Sequence, residues 1–256
     1  MISIDTLSKS FGGIKAVNKV SLTIVKGSIT GLIGPNGAGK TTLFNIIAGV
    51  YPPTEGRVFL DDEEVTGLPP HELFSKGVMR TFQIAQEFSS LTVRENLMMV
   101  PANQSGERLI DTWLRPKTII QEEKRLSKKA NEVLHFLQLR DLANELAGNL
   151  SGGQKKLLEL GRTMMVKPKI GFLDEVGAGV NRTLLKTIGD SILRLNQEFG
   201  YTFCMIEHDM EFISKLCDPV IVMAEGSVLA EGSASEIKSN NAVIEAYLGS
   251  GQKNRK

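Results

Sequence analysis

Gly34-Pro35-Asn36-Gly37-Ala38-Gly39-Lys40-Thr41 fits the pattern G-x-x-x-x-G-K-[ST], and its surroundings are what give the pattern weight. Upstream, Ser28 to Ile33 is a short apolar run that suits a buried strand. Downstream, Leu43, Ile46 and Ile47 fall on one face of a helix. Strand, glycine-rich loop and helix together let backbone N–H groups converge on phosphates, and the helix N-terminus adds roughly half a positive charge. Lys40 is placed to bridge β and γ oxygens, and the Thr41 hydroxyl to ligate Mg²⁺. The expected triphosphate contacts are therefore Asn36, Gly37, Ala38, Gly39, Lys40, Thr41 and Thr42.

The rest of the composition is compatible with one soluble globular protein. Of 256 residues, 41% are apolar and 23% charged, which excludes disorder, collagen and low-complexity readings. Thirty Lys+Arg against 29 Asp+Glu leave a formal charge of +1, so no nucleic-acid partner is expected. Cys204 and Cys217 form neither a disulfide framework nor a Cys/His cluster, which fits a reducing cytoplasm. The longest apolar runs, Ile29 to Ile33 and Val220 to Ala224, fall far short of the ~20 residues that span a bilayer. The start, MISIDTLSKSFGG, lacks the basic and apolar regions of a secretory signal.

Along the chain, strands and turns come first. Ser21 to Val25 alternates, Lys26-Gly27 is a turn, and Arg57 to Leu60 is a strand ending at Asp61-Asp62. From about Gln83 to Leu150 the pattern is helical. Thr92-Val93-Arg94-Glu95 has the spacing of a capping box, and Gln121 to Leu139 predicts an amphipathic helix with Leu126, Ala130, Val133, Leu134 and Leu137 inward. Between them, Pro101 to Lys117, with Trp113, reads as a loop or short-helix excursion. After Leu150, strands at Lys169 to Asp174, Tyr201 to Ile206 and Val220 to Met223 alternate with helices, which argues for a mostly parallel sheet covered on both faces. A hairpin around Glu225-Gly226, a final helix ending near Leu248 and a frayed basic tail, Ser250 to Lys256, complete the chain.

Two further motifs carry chemistry. Ile170-Gly171-Phe172-Leu173-Asp174-Glu175 is an apolar strand ending in two acids, which delivers Asp174 to a metal and Glu175 to an attacking water at the carboxyl edge of a parallel sheet. Leu150-Ser151-Gly152-Gly153-Gln154 precedes a helix with Ser151 as N-cap. Alone it is an unexceptional helix start. In this order and at these distances, however, the three motifs make the chain resemble the ATP-binding cassette (ABC) transporter ATPases over nearly its whole length.

That resemblance implies an α/β P-loop NTPase (RecA-like) fold: a mostly parallel sheet core, an antiparallel β subdomain and an inserted helical subdomain. The core and β subdomain would occupy 1–83 and 155–248, the helical signature subdomain 84–154, and a flexible tail 249–256. It implies that Phe11 stacks on adenine, with Val17 beside it, and that Gln83, in RTFQ, touches Mg²⁺ and the nucleophilic water. It also implies that His208, in Ile206-Glu207-His208-Asp209, hydrogen-bonds the γ-phosphate and Glu175. Metal contacts would be Thr41, Gln83 and Asp174, and the catalytic set Glu175, His208 and Gln83. Two departures stand out: Val176 replaces the proline usual after the glutamate, restoring an N–H and loosening φ, and Asn181 stands where many cassettes have aspartate.

In the family, Ser151, Gly153 and Gln154 of one cassette close on ATP held by another. One copy of each motif here therefore implies two cassettes, identical or paralogous, with Mg²⁺ and two ATP. Such a cassette would be a peripheral protein on the cytoplasmic face of the cell membrane, driving integral permease subunits and, indirectly, an extracytoplasmic solute-binding protein. Ile84, Phe88 and Leu91 lie where the family docks its permease, or else pack internally. FGGIKAV, LTVRENL, the Trp113 insert, LSGGQKKLLELGR and IEAYLG most resemble the branched-chain amino acid importers, whose close relatives move urea and short amides. A DNA-repair or translation cassette would be expected to carry coiled-coil arms, zinc cysteines or a second cassette, and a P-loop kinase has no reason for the 150–154 motif.

Overall fold

The computed structural model describes residues 1–81, 87–102, 104–107, 113 and 116–253, the last five as backbone alone. It forms two compact units: Met1–Gln83 with Pro168–Ala178 and Ile192–Lys256, and Ile84–Lys167 with Gly179–Ser191.

The first unit holds two sheets. β1 (Ile2–Phe11), β2 (Ile14–Ile24), β4 (Glu55–Leu60) and β5 (Glu63–Glu64) form an antiparallel sheet in the order β2-β1-β4-β5. β3 (Ile29–Ile33), β6 (Val78–Arg80), β7 (Ile170–Asp174), β8 (Phe203–Ile206), β9 (Val220–Ala224) and β10 (Ser227–Gly232) form a second, ordered β10-β9-β3-β8-β7-β6. All its pairings are parallel except the β9–β10 hairpin at one edge. Every residue of β3, β7 and β8 is buried, as a run flanked by strands and covered on both faces must be. α1 (Lys40–Ile47) packs Leu43, Phe44, Ile46 and Ile47 into a core that both sheets share, where Phe44 meets Phe172 edge-on at 4.9 Å.

The second unit is helical, built on α3 (Val93–Met98), α4 (Pro116–Phe136) and α5 (Gly152–Val166), with α2 (Pro70–Ser75) belonging to the first unit. The expected capping box starts α3: Thr92 Oγ1 accepts from Glu95 N, and Glu95 Oε2 accepts from Thr92 N at 2.7 Å. Gly161 permits the close packing of α5, since a Cβ there would lie 2.8 Å from Leu137 and 3.0 Å from Leu97. This packing keeps α5 in the helical unit, which runs to Lys167 and also takes in 179–191, against the expected 84–154.

α4 stops before Leu139 because Gln138 adopts φ 59°, outside the helical region, yet Leu137 and Leu139 remain buried. The later helices are α6 (Arg182–Phe199), α7 (Met210–Leu216), α8 (Ala234–Ser239) and α9 (Asn241–Lys253). In the last of these the backbone is helical to Lys253.

Candidate functional site

Three neighbouring strands bring the chemistry to one edge. β3, β8 and β7 lie side by side, with Leu32, Ile206 and Asp174 level in the register. Just beyond that line the chain leaves the sheet at Gly34, at Glu175 and at Glu207-His208. Residues far apart in sequence thus meet at the carboxyl ends of parallel strands, where open α/β sheets bind ligands.

The loop after β3 is shaped by glycine and closed by its lysine. Gly39 caps α1 at φ 96°, and a Cβ on it would come within 2.3 Å of the Ala16 carbonyl. Lys40 is buried, and its ammonium donates to the carbonyls of Gly34 (2.8 Å) and Pro35 (3.0 Å). Burial holds its pKa below the ordinary lysine value, with Glu175 and Asp174 opposing the shift. A cavity of about 310 Å³ is lined by Ala16, the stretch Asn36 to Thr42, Glu175 and His208. A larger one, about 600 Å³, shares Asn36, Gly37 and Ala38 but is walled by Glu225, Leu229, Ala242 and Glu245 and lacks the lysine, hydroxyls and histidine that suit a phosphate.

Asp174 is almost inaccessible, and its Oδ2 accepts from Arg80 Nη2 at 2.9 Å. The other terminal nitrogen of Arg80 donates to Asn45 Oδ1 on α1. Glu175 sits at φ 48°, a left-handed conformation that costs a non-glycine residue about 1–3 kcal/mol and is found where a site over-determines the backbone. Its N–H donates to Ile206 O, and its Oε1 lies 2.8 Å from His208 Nε2. The hydrogen bond that the resemblance implies between His208 and Glu175 is therefore present. The turn that carries Val176 is held rather than loose: Ala178 N donates to Glu175 O, and Gly177 N donates to Glu207 Oε1 at 2.7 Å.

Glu207 is buried, and desolvation raises its carboxyl pKa, with N–H groups of Gly177 and His208 acting the other way. A raised folded pKa contributes stability that is complete below the ordinary glutamate range and lost as pH rises through the folded value. The Tm of Glu207→Gln minus that of the native chain should therefore grow with pH from the glutamate range upward and then level off. A difference that stays flat from pH 4 to pH 8 would contradict this.

Phe11 ends β1, remains 44% exposed, meets Tyr51 edge-on at 5.5 Å and has the Lys9 ammonium over its ring, 5.2 Å from the centroid. Val17 is fully buried in the core, and the neighbouring Ala16 lines the phosphate cavity in its place. Within the helical unit, Ser151 and Gln154 form a capping box at the start of α5, with Ser151 N donating to Gln154 Oε1 at 2.9 Å. Gly153 is buried, and a Cβ there would lie 2.0 Å from Leu184 Cδ2. Asn181 caps α6, its Oδ1 accepting from Leu184 N. Gln83 and Ile84 lie outside the described residues. Arg80, Asn45, Glu207 and Tyr51 were not foreseen. Only Arg80 and Glu207 had a signal, Arg80 as the first residue of RTFQ and Glu207 as the neighbour of His208.

Comparison with known proteins agrees with this geometry. Residues 17–178 match the ABC transporter family, and residues 227–253 match the branched-chain amino acid ATP-binding cassette transporter family. A probable branched-chain amino acid transport ATP-binding protein, LivG, of Archaeoglobus fulgidus is 42% identical over 97% of this chain and 95% of its own. A cassette of an ABC transporter in its ADP conformation superposes with a TM-score of 0.82 at 37% identity, covering 97% of this chain and 98% of that one. A dimeric cassette in a post-hydrolysis state with ADP and Pi gives 0.75 at 26% identity, over 91% and 99%. The chain belongs to the ABC transporter family, as an ATP-binding cassette that binds and hydrolyses ATP.

Proposed function

We propose that this cassette powers an importer of branched-chain amino acids from the cytoplasmic face of a membrane, acting on separate permease subunits that receive solute from an extracytoplasmic binding protein. The observation that carries the reading is the match at 227–253, which is specific to branched-chain amino acid cassettes and independent of the match over 17–178. The LivG-type relative, alike over nearly its full length, supports it. Among the described residues no helix is long and apolar enough to cross a membrane. Phe88 is 52% exposed while Leu91 is half-buried, so Phe88 is the better candidate to meet a permease helix.

In this reading Lys40 and the N–H groups of 36–41 hold the phosphates, Phe11 braced by Tyr51 stacks on the base, and Thr41 and Asp174 face the metal. Hard oxygen donors fit Mg²⁺, which takes one or two carboxylates and shares the phosphates rather than needing an all-protein cage. Among the described residues no group of three His, Cys, Asp or Glu could form such a cage. Bound there, Mg²⁺ would neutralise phosphate charge. Glu175 takes the proton of the attacking water, and His208, bonded to Glu175, fixes the carboxylate's direction. Ser151 and Gly153 complete the site of a second cassette, for which the dimeric relative is support.

The test is to purify the tagged chain from gently solubilised membranes and to measure uptake of labelled leucine, isoleucine and valine in cells lacking it. Co-purification of integral permease subunits, with uptake restored by the native chain and not by Glu175→Gln, is the expected result. A chain recovered without any integral partner, or uptake that ignores its loss, would overturn the reading.

A further inference from the structure

Arg80 makes an arrangement that fold stability does not call for. It ends the edge strand β6, level with Phe172 of β7, and its side chain reaches forward to the carboxyl edge to meet Asp174. Both side chains are nearly inaccessible, 10% and 3% exposed. A buried ion pair is often no more stabilising than apolar residues of the same volume. This one is also incompletely satisfied, because Arg80 Nε is buried with no partner among the described residues. The pair does fix geometry. One guanidinium nitrogen takes Asp174 Oδ2 and another takes Asn45 Oδ1 on α1, a planar two-way fork that no lysine can reproduce. Thr81, the next residue, grips the backbone of the same aspartate: its Oγ1 accepts from Asp174 N at 3.3 Å and donates to Phe172 O. Among the described residues only Oδ2 of Asp174 is engaged, which leaves Oδ1 for a metal-bound water.

We propose that Arg80 is a positioning residue for metal binding: together with Asn45 it orients the Asp174 carboxylate toward the Mg²⁺ of the bound nucleotide. The inference rests on the reading of Asp174 as the metal carboxylate. Partners that orient a ligating carboxylate are commonly worth about 10–100-fold in metal affinity. A guanidinium that merely occupied the carboxylate until metal displaced it would have the opposite sign, since removing it would tighten metal binding.

The measurement is the affinity of a fluorescent ATP analogue, in EDTA and across a Mg²⁺ titration, with folding checked by circular dichroism. Arg80→Gln should raise the Mg²⁺ concentration for half-maximal tightening by about tenfold and leave affinity in EDTA unchanged. Arg80→Lys keeps the charge without the fork and should stay shifted. Asn45→Ala leaves no buried charge bare and should move the midpoint in the same direction by a smaller factor, so it decides the matter if Arg80→Gln does not fold. Asp174→Asn should abolish the Mg²⁺ response altogether. If it does not, the reading of the metal carboxylate fails rather than the role of Arg80. An unchanged or lowered midpoint in the folded variants, or an equal loss of affinity in EDTA, would overturn the proposal.

Discussion

Glu175→Gln is expected to lower ATP turnover by about 10²- to 10⁴-fold, the usual worth of a general base, while nucleotide affinity stays close to native. The amide has the shape of the carboxylate, and Glu175 already holds a left-handed φ fixed by its N–H bond to Ile206 O, so the loop can keep its course. What disappears is the ability to accept a proton from water. The hydrogen bond to His208 survives in form but now orients a group without basicity. Because Lys40 and the loop 36–41 are untouched, binding and chemistry should separate cleanly. Single-turnover hydrolysis against analogue affinity measures that separation. If reopening of a two-cassette sandwich follows hydrolysis, the variant with ATP should also accumulate as a dimer in gel filtration. Hydrolysis at the native rate would remove Glu175 from the mechanism.

The part of this site legible in the sequence is the part that one stretch of chain can state by itself. GPNGAGKT writes its own strand, turn and helix, and the backbone geometry at Gly34 and Gly39 requires the residues that spell the motif. The alternating and all-apolar runs likewise announced two kinds of sheet, because edge exposure and two-sided burial leave different patterns in composition. What sequence could not state is strand order. Nothing local says that β8 inserts between β3 and β7, yet that order is what puts His208 2.8 Å from Glu175. The Arg80–Asp174–Asn45 bridge depends on the same pairing across three elements, and an arginine at a strand end carries no mark of its partner. Val17 and Ala16 show the same dependence on the fold: β2 buries the valine in the core, and Ala16 lines the phosphate cavity.

Lys40→Met is expected to weaken nucleotide binding by about 2–5 kcal/mol, the cost of removing one partner from a buried charged hydrogen bond, and to make the nucleotide-free chain no less stable. The second half follows from the pKa. Burial lowers the Lys40 value, so the fold binds that proton less tightly than the unfolded chain does. A depressed folded pKa contributes stability only above the ordinary lysine value and loses it as pH falls through the lowered one. At neutral pH the penalty of the buried ammonium is therefore fully in force. Methionine fills a similar volume without it, at the cost of two hydrogen bonds to the Gly34 and Pro35 carbonyls. The nucleotide-free variant should match or exceed the native Tm at pH 7, with the margin narrowing as pH approaches the lysine range. ATP reverses the order: a ligand at 100 times its Kd stabilises the native fold by about 2.7 kcal/mol, and the variant gains almost none of this. The two melting curves should cross between the nucleotide-free and ATP-saturated conditions. If the nucleotide-free variant melts well below the native chain at pH 7, the two carbonyl hydrogen bonds outweigh the desolvation, and Lys40 would be a structural tie as much as a phosphate ligand.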